Sequence, residues 1–291
     1  MKVPERPGSP GRCAYFTLLT NDEYVTAAMV LAQSLKNTQT SIPMCAMIVA
    51  EAVNGKSQQQ LYNMFDDVVS VERIRGIGDD NLKAIGRPDL GDTLTKLQVW
   101  SQTQFDRVLF LDADTLVLSN LDHLFDLPSA VELAACPDPG FSDCFNSGVM
   151  LLKPSDSTFS ELRQFAAVTP SFDGGDQGLL NIFFGDGTRH HPCKTLDATQ
   201  SSVSKLGESG ERNWYRLSFT YNMAMHKVYR LYIPAALRYK NEHRILHFIG
   251  KMKPWHFEGG QVPLSYDSSP YERFYADRVN HWWQVRRSLM G

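Results

Sequence analysis

Cysteine is scarce in this sequence and follows no pattern. The 291 residues contain five cysteines, an odd number, and no Cys-x-x-Cys occurs. This spacing argues against both a disulfide framework and a zinc site. Free thiols fit a reducing compartment, so we expect a cytoplasmic protein.

The chain also lacks long apolar runs and a strong excess of charge of one sign. No stretch is long and apolar enough to span a bilayer, and we interpret residues 1–12 as a flexible Pro/Gly tail rather than a signal peptide. The net charge of −3 gives no electrostatic case for nucleic acid or an anionic membrane as a partner. With 43% hydrophobic residues, the chain can build a full core.

The segment Arg107–Val117 carries the strongest chemical signal. Its apolar run Val108–Leu111 predicts a strand buried in a parallel sheet. Asp112 and Asp114 follow at the carboxyl end of that strand, where open α/β sheets bind ligands. On an extended chain, residues i and i+2 project to the same side, so the two carboxylates can converge on one cation. Hard oxygen ligands of this kind suit Mg²⁺ or Mn²⁺ carrying a diphosphate.

Hydrophobic periodicity predicts alternating strands and helices, which is typical of an α/β fold. The predicted strands are Cys13–Leu19, Ile42–Val49, Asp67–Val71, Val108–Leu111, Val131–Cys136, Val149–Leu152 and Ile245–Ile249. The predicted helices are one starting near Tyr24, one capped by Thr93, and Lys56–Phe65, Phe159–Ala167, Leu179–Phe184 and Tyr271–Val285. No Gly-x-Gly-x-x-Gly follows the first strand, which weakens a dinucleotide-binding interpretation. Residues 185–212 are polar and predict a surface insertion.

Three basic residues are candidates for contacts with an anionic group or a metal. Lys96 lies in the first turn of a predicted helix, where a cation opposes the helix dipole, so its position favours an anionic ligand. Arg87 lies in a long loop that could close over phosphates. His247 is either a core histidine of a short strand or, if it faces the two carboxylates, a third metal ligand.

A series of segments, taken in chain order, resembles the glycogenin family of retaining glucosyltransferases. They are Leu18–Tyr24, Arg87–Gly91, Thr93–Lys96, Leu111–Leu116, Pro137–Gly140, Asp143–Gly148, Phe172–Asn181, His247–Gly250 and Lys253–Trp255. The resemblance covers residues 13–257. It implies a GT-A-like single domain with a Rossmann-like, mostly parallel central sheet flanked by helices. Residues 258–291 would then add a C-terminal packing helix.

The resemblance also implies a donor, a metal and residues that bind them. The donor would be UDP-glucose, and the metal would be Mn²⁺, with Mg²⁺ as the other choice. The implied metal ligands are Asp112, Asp114 and His247. The implied donor-binding residues are Leu18, Thr20, Asn21 and Tyr24 around uridine, Arg87, Gly250 and Lys253 around the diphosphate, Asn146, Ser147, Asp173, Asp176 and Gln177 around glucose, and Ala113 between the two metal-binding carboxylates. The implied catalytic residues are Asp176, Lys96 and Asp138.

Members of this family glucosylate one of their own tyrosines and then extend the glucan. By its spacing from Tyr221, Tyr229 matches the acceptor of the family. The spacing departs from that of the family at Leu231–Pro234, so Tyr232 is the alternative acceptor. The resemblance further implies a homodimer and glycogen synthase as a partner, although the segment that binds the synthase is not recognisable in this chain.

Three other functions compete with self-glucosylation. A transferase of the same fold could act on a small polyol or sugar acceptor and would share the donor site. A haloacid-dehalogenase-like phosphatase also places Asp-x-Asp after a buried strand, but its pattern prefers Thr or Val where Leu116 stands. A non-enzymatic scaffold that binds UDP-glucose is the third possibility, and the intact Asp112, Lys96 and Asp176 argue against it.

Overall fold

The computed structural model describes residues 11–77, 82, 88–140, 143–185, 194–195, 214–225 and 232–289. The strands in this part of the chain are β1 Cys13–Leu19, β2 Met44–Ile48, β3 Asp67–Ser70, β4 Arg107–Leu111, β5 Thr115–Val117, β6 Leu133–Pro137, β7 Phe145–Leu152, β8 Lys194–Thr195, β9 Trp214–Arg216, β10 Met223–Ala224 and β11 Ile245–His247. The α-helices are α1 Val25–Asn37, α2 Gly55–Met64, α3 Asp156–Val168, α4 Asp176–Phe184, α5 Ile233–Arg238 and α6 Pro270–Ser288. Among these residues, no helix has both the length and the apolar character needed to cross a bilayer.

The larger sheet has the strand order β3-β2-β1-β4-β7-β6-β9-β8. Neighbouring strands run parallel except at β7, which is antiparallel to both β4 and β6. Strands β2 and β4 are buried along their whole length, because helices cover both faces of the sheet. The predicted α/β architecture with a mostly parallel central sheet is therefore confirmed.

Two apolar clusters lie on opposite faces of this sheet. One cluster packs helices α1 and α2 against side chains such as Tyr15, Ile48 and Leu109. The other packs α3, α4 and the segment Pro88–Ser101 against side chains such as Phe110. Side chains that alternate along each strand enter opposite clusters, as the two-residue period of a strand requires.

A second, smaller sheet has the strand order β10-β11-β5. Strand β5 leaves the turn after β4 and pairs antiparallel with β11, which places Thr115 opposite His247. Strand β10 pairs parallel with β11 on its other side. The C-terminal helix α6 covers this sheet and α1 through a third apolar cluster that contains Leu246, Phe248 and Trp282.

The structure differs from the sequence prediction in several elements. The segment Pro88–Ser101 winds as a 3₁₀ helix rather than an α-helix capped by Thr93. Burial of Leu97 and Trp100 in the second cluster holds it, although 3₁₀ runs are usually short. Strand β7 begins at Phe145, so Asn146 and Ser147 lie inside the strand. Strands β8, β9 and β10 were not predicted, because they are only two or three residues long.

Three predicted segments fall wholly or partly outside the described residues. The tail 1–12 is described only from residue 11. The polar insertion 185–212 is described only at Gly185 and at Lys194–Thr195, where it contributes the edge strand β8. The packing helix predicted within 258–291 is confirmed and begins at Pro270, behind a capping box of Ser269 and Glu272.

We expect α6 to contribute strongly to stability through Trp282, whose side chain is fully buried against Trp255 and Trp283. Replacing Trp282 by alanine should lower the free energy of unfolding by about 3–5 kcal/mol, because a large buried ring is lost and a cavity remains. Urea denaturation followed by circular dichroism measures this loss. Tyr266→Ala is the matched control, since that ring is 96% exposed and should change stability by less than about 0.5 kcal/mol. Equal effects of the two substitutions would contradict this packing role.

Candidate active site

A cleft of about 620 Å³ opens at the carboxyl ends of β1 and β4. Polar side chains from both sheets and from the N-terminus of α4 line it. The sequence-predicted residues in this lining are Leu18, Thr20, Asn21, Tyr24, Lys96, Asp112, Ala113, Asp114, Asn146, Ser147, Asp173, Asp176, Gln177, His247, Gly250 and Lys253. The fold therefore brings together, in one cleft, residues that are far apart in sequence.

Asp112 and Asp114 lie in a tight turn between β4 and β5. The backbone N–H and the hydroxyl of Thr115 both donate to the carbonyl oxygen of Asp112, at 3.0 and 2.7 Å. The turn, rather than the alternation of an extended strand, directs the two carboxylates into the cleft. The predicted convergence is correct, and the geometry predicted to cause it is wrong.

His247 joins these carboxylates because β11 pairs with β5. Its Nε2 lies 3.3 Å from Asp114 Oδ1 and 3.8 Å from Asp112 Oδ2. Candidate ligand atoms from the three side chains all lie within 4.8 Å of one another. Two carboxylates and one imidazole form a donor set that a divalent ion such as Mn²⁺ accepts. The residues present therefore fit a divalent metal.

Lys96 connects the metal-binding side of the cleft to α4. Its ammonium lies 3.0 Å from Asp112 Oδ1 and 2.7 Å from Asp176 Oδ2, and it donates to the carbonyl of Ser147 at 3.3 Å. Burial alone would lower the pKa of Lys96, but Asp112 and Asp176 outweigh burial and raise this pKa above its usual value. Lys96 is therefore a fixed cation between two carboxylates.

Lys253 is the second buried cation, and it pairs with Asp114. Its ammonium also donates to the carbonyl of Phe248 at 2.8 Å. Burial would raise the pKa of Asp114, but the charges of Lys253 and His247 outweigh burial and lower it. Asp112 differs, because burial is the largest influence on it and its pKa is raised. Asp114 therefore remains ionised and can bind a cation.

The loop before α4 places Asp176 at the first position of that helix. Gly174 adopts a φ of +78°, a left-handed conformation that favours glycine. The Oδ1 atom of Asp173 accepts from the hydroxyl of Ser171 and from the backbone N–H groups of Gly175 and Gly178, at 2.7 to 3.0 Å. Asp173 thus holds the loop in shape in addition to lining the cleft.

A chain of amides runs behind the side of the cleft that is next to α4. Asn146 donates to Asp138 Oδ2 at 3.2 Å and to Gln177 Oε1 at 3.0 Å, and Gln177 donates to the same Asp138 oxygen at 3.1 Å. Asp138, predicted to be catalytic, is not among the residues that line the cleft. It accepts hydrogen bonds from Asn146 and Gln177, which do line it. Asn222 extends the chain and contacts His247, at 2.9 Å from its Nδ1. The sequence interpretation assigned no role to Asn222 and missed this contact.

The other end of the cleft is formed by the turn after β1 and by the residues around Gly250. Asn21 caps the short turn Asp22–Tyr24 by accepting from the N–H of Glu23 at 3.0 Å. The ring of Tyr24 packs edge-on against Trp255, with 5.4 Å between centroids. Gly250 has a φ of +91°, so a residue with a side chain would be strained there.

Two predicted site residues, Arg87 and Tyr229, lie outside the described residues. Tyr232 is described, is 44% exposed, and lines a second cavity of about 220 Å³. Asp138 and Asn222 also line that cavity, so the amide chain separates it from the metal-binding cleft.

Comparison with known proteins identifies relatives for nearly the whole chain. A family model described as "Glycosyl transferase family 8" matches residues 16–259. Glycogenin-1 of Mus musculus is 38% identical over 94% of this chain and 74% of that protein. Glycogenin-1 of Caenorhabditis elegans is 40% identical over 92% of this chain and 56% of that protein. The solved structure of the galactosyltransferase LgtC in complex with donor and acceptor sugar analogs is similar in fold, with a TM-score of 0.54, 16% identity and coverage of 94% and 95% of the two chains.

The pairing of Lys253 with Asp114 predicts competition between this lysine and a metal ion. Lys253→Met should bind Mn²⁺ about tenfold more tightly in the absence of nucleotide. The substitution removes the ammonium group that pairs with Asp114 and repels a metal ion. Titration of Mn²⁺, with the free ion measured by electron paramagnetic resonance, gives this affinity. Lys251→Met is the matched control, since Lys251 also lines the cleft but is exposed. Weaker Mn²⁺ binding by Lys253→Met would show that the lysine supports the metal site instead.

Proposed function

The chain belongs to the glycogenins of glycosyl transferase family 8, and we propose that it transfers glucose from UDP-glucose to one of its own tyrosines and then extends an α-1,4-glucan that primes glycogen synthesis. One observation supports this proposal more than any other. The metal-binding group of Asp112, Asp114 and His247 faces the buried pair of Lys96 and Asp176 within a single cleft. A nucleotide-sugar transferase needs this arrangement, because the diphosphate and the transferred sugar must meet there.

The cleft offers a separate region to each part of the donor. The uridine would lie against Leu18, Thr20, Asn21 and Tyr24, which line the cleft at the end of β1 and in the turn after it. The diphosphate would lie between the metal and Lys253, with Gly250 allowing close approach of the backbone. Arg87 is part of the same proposal.

The glucose would lie against the amides of Asn146 and Gln177, the backbone of Ser147 and the carboxylates of Asp173 and Asp176. These groups combine donors and acceptors, which is what a ring of hydroxyls requires. Asp138 supports this surface from behind by fixing both amides.

We propose Mn²⁺ as the metal, with Mg²⁺ as a weaker substitute. The imidazole of His247 supports this choice, because Mg²⁺ prefers oxygen ligands and Mn²⁺ tolerates nitrogen. When bound, the metal offsets the negative charge that grows on the departing UDP.

The transfer itself would depend on Lys96 and Asp176. Lys96 is a fixed cation, so it can stabilise charge on the diphosphate without the cost of moving at that moment. Asp176 is 2.7 Å from that cation and is the carboxylate we place beside the reacting carbon of glucose. Its charge would stabilise the positive charge that develops there, with retention of configuration at that carbon.

We propose Tyr229 as the first acceptor and Tyr232 as the alternative. The chain that leads to both begins at β10, next to the metal-binding strand. Tyr232 is exposed at the start of α5. The proposal also includes a cytoplasmic homodimer, with glycogen synthase as a further partner.

Self-glucosylation predicts a ladder of hexose additions on the intact protein after incubation with UDP-glucose and Mn²⁺. Mass spectrometry and peptide mapping should place the ladder on the peptide that contains Tyr229 and Tyr232. Tyr229→Phe should abolish the ladder, and Tyr62→Phe should not, since Tyr62 is an exposed tyrosine on α2. If no mass is added but UDP is released when small sugars or polyols are supplied, the chain is a transferase for a small acceptor. Neither mass change nor UDP release would indicate a binding scaffold.

Asp176→Asn should keep donor binding and lose transfer. The asparagine retains the size of the side chain but not its charge, so the rate should fall by about 100-fold or more. Calorimetric titration with UDP and Mn²⁺ should give an affinity near that of the unmodified protein. Asp277→Asn, an exposed change on α6, serves as the control. Normal turnover by Asp176→Asn would remove this carboxylate from the catalytic group.

A further inference from the structure

A histidine can bind a metal through Nε2 only if that atom has a free lone pair, so in the neutral ring the proton must be on Nδ1. In this protein Nδ1 of His247 faces the side-chain oxygen of Asn222 at 2.9 Å. His247 and Asn222 are 4% and 6% exposed, so bulk water does not replace this contact. The amide oxygen of Asn222 therefore favours a proton on Nδ1, whereas the carboxylate of Asp114, 3.3 Å from Nε2, attracts a proton to Nε2 only while no cation lies between them.

Two fixed groups determine how the amide of Asn146 is turned. The backbone N–H of Gly148, which can only donate, lies 3.0 Å from Asn146 Oδ1. The carboxylate of Asp138, which when ionised can only accept, lies 3.2 Å from Asn146 Nδ2. Both neighbours require the same orientation of Asn146, with its oxygen toward Gly148 and its nitrogen toward Asp138.

The orientation of Asn222 follows from that of Asn146. The oxygen of Asn146 can only accept, so the atom of the Asn222 amide that lies 2.8 Å from it must be the nitrogen, Nδ2. The remaining atom of the Asn222 amide, its oxygen, then faces His247 and accepts from Nδ1–H. Reversing either amide would bring two oxygens or two N–H groups together in a buried place, which is costly.

Close packing holds the imidazole ring in line with this chain. A Cβ atom at Gly148 would lie 2.2 Å from Cε1 of His247 and 2.7 Å from its Nδ1. The backbone of His247 is fixed on both sides, by Thr115 of β5 and by Ala224 of β10. The ring therefore has little freedom to turn away from Asn222.

We propose that Asn222 is a positioning residue that keeps the proton of His247 on Nδ1 and so directs Nε2 to the metal. The hydrogen bonds all run in one direction: His247 donates to Asn222, Asn222 to Asn146, and Asn146 to the carboxylate of Asp138. The carboxylate behind the proposed sugar-binding surface thereby orients the proposed metal ligand. This inference rests on the metal assignment in the proposed function. It does not depend on tyrosine being the acceptor.

Two substitutions of Asn222 separate this role from a merely structural one. Asn222→Ala removes the acceptor for Nδ1–H and should weaken Mn²⁺ binding about 10- to 100-fold. Asn222→Asp keeps an acceptor for Nδ1–H, so its affinity for Mn²⁺ should stay within about threefold of the unmodified protein, because carboxylate–histidine–metal groups work well. The aspartate cannot donate to Asn146, so the KM for UDP-glucose should rise.

Mn²⁺ affinity is measured by electron paramagnetic resonance without nucleotide, with Asn63→Ala on the exposed side of α2 as control. His247→Ala is measured in parallel. If His247→Ala binds Mn²⁺ normally, the metal assignment and with it the proposed function fail. If His247→Ala binds weakly but Asn222→Ala binds normally, only the role of Asn222 is overturned. Equal losses in Asn222→Ala and Asn222→Asp would also overturn it, because they would indicate a general loss of structure.

The position of the proton has its own spectroscopic signature. In protein with ¹⁵N-labelled histidine and saturated with the diamagnetic ion Mg²⁺, the ring of His247 should show a protonated Nδ1 and an unprotonated Nε2, with assignment by His247→Gln. In Asn222→Ala the two forms should mix. A neutral His247 with its proton on Nε2 in the unmodified, Mg²⁺-saturated protein would overturn the proposal.

Discussion

The antiparallel pairing of β5 with β11 is the constraint on which the site depends. The turn at Asp112 and Asp114 ends in β5, and β11 brings His247 from the other end of the chain to face that turn. Without this pairing the carboxylates would remain a common acidic turn. Because α6 covers the small sheet, the packing of the C-terminal region also supports the geometry of the metal-binding residues.

The two sheets contribute different parts of the cleft. The larger sheet supplies the base of the cleft at the carboxyl ends of β1 and β4, where open α/β sheets bind ligands. The smaller sheet supplies His247, the third member of the candidate metal site, and β10, the strand that precedes Tyr229 and Tyr232 in the sequence. Asn222 stands at the junction of the two, since it contacts Asn146 of β7 and His247 of β11. The same side chain thus connects the amides beside α4 to the cluster of Asp112, Asp114 and His247.

The sequence predicts much of the fold and of the cleft, and the failures have physical reasons. The strand before Asp112 and the helices α1, α2, α3 and α6 follow from local periodicity, which tertiary contacts reinforce. The 3₁₀ segment Pro88–Ser101 could not be predicted, because its conformation is set by what it packs against. His247 could be placed at the metal only through resemblance to a family, since a pairing between distant strands leaves no local pattern. Asn222 was missed because a chain of amides has no sequence period.

The pairing of charges in the cleft bears on how the protein matures. The carboxylates of Asp112, Asp114 and Asp176 are each paired with Lys96 or Lys253, which belong to the same polypeptide. Each of these carboxylates therefore has a cationic partner within the chain, so the cleft can form without a bound ion. Small zinc domains behave in the opposite way, because ion binding supplies their folding free energy. In this cleft the partners of the carboxylates are lysines of the same chain, so its folding does not depend on an ion.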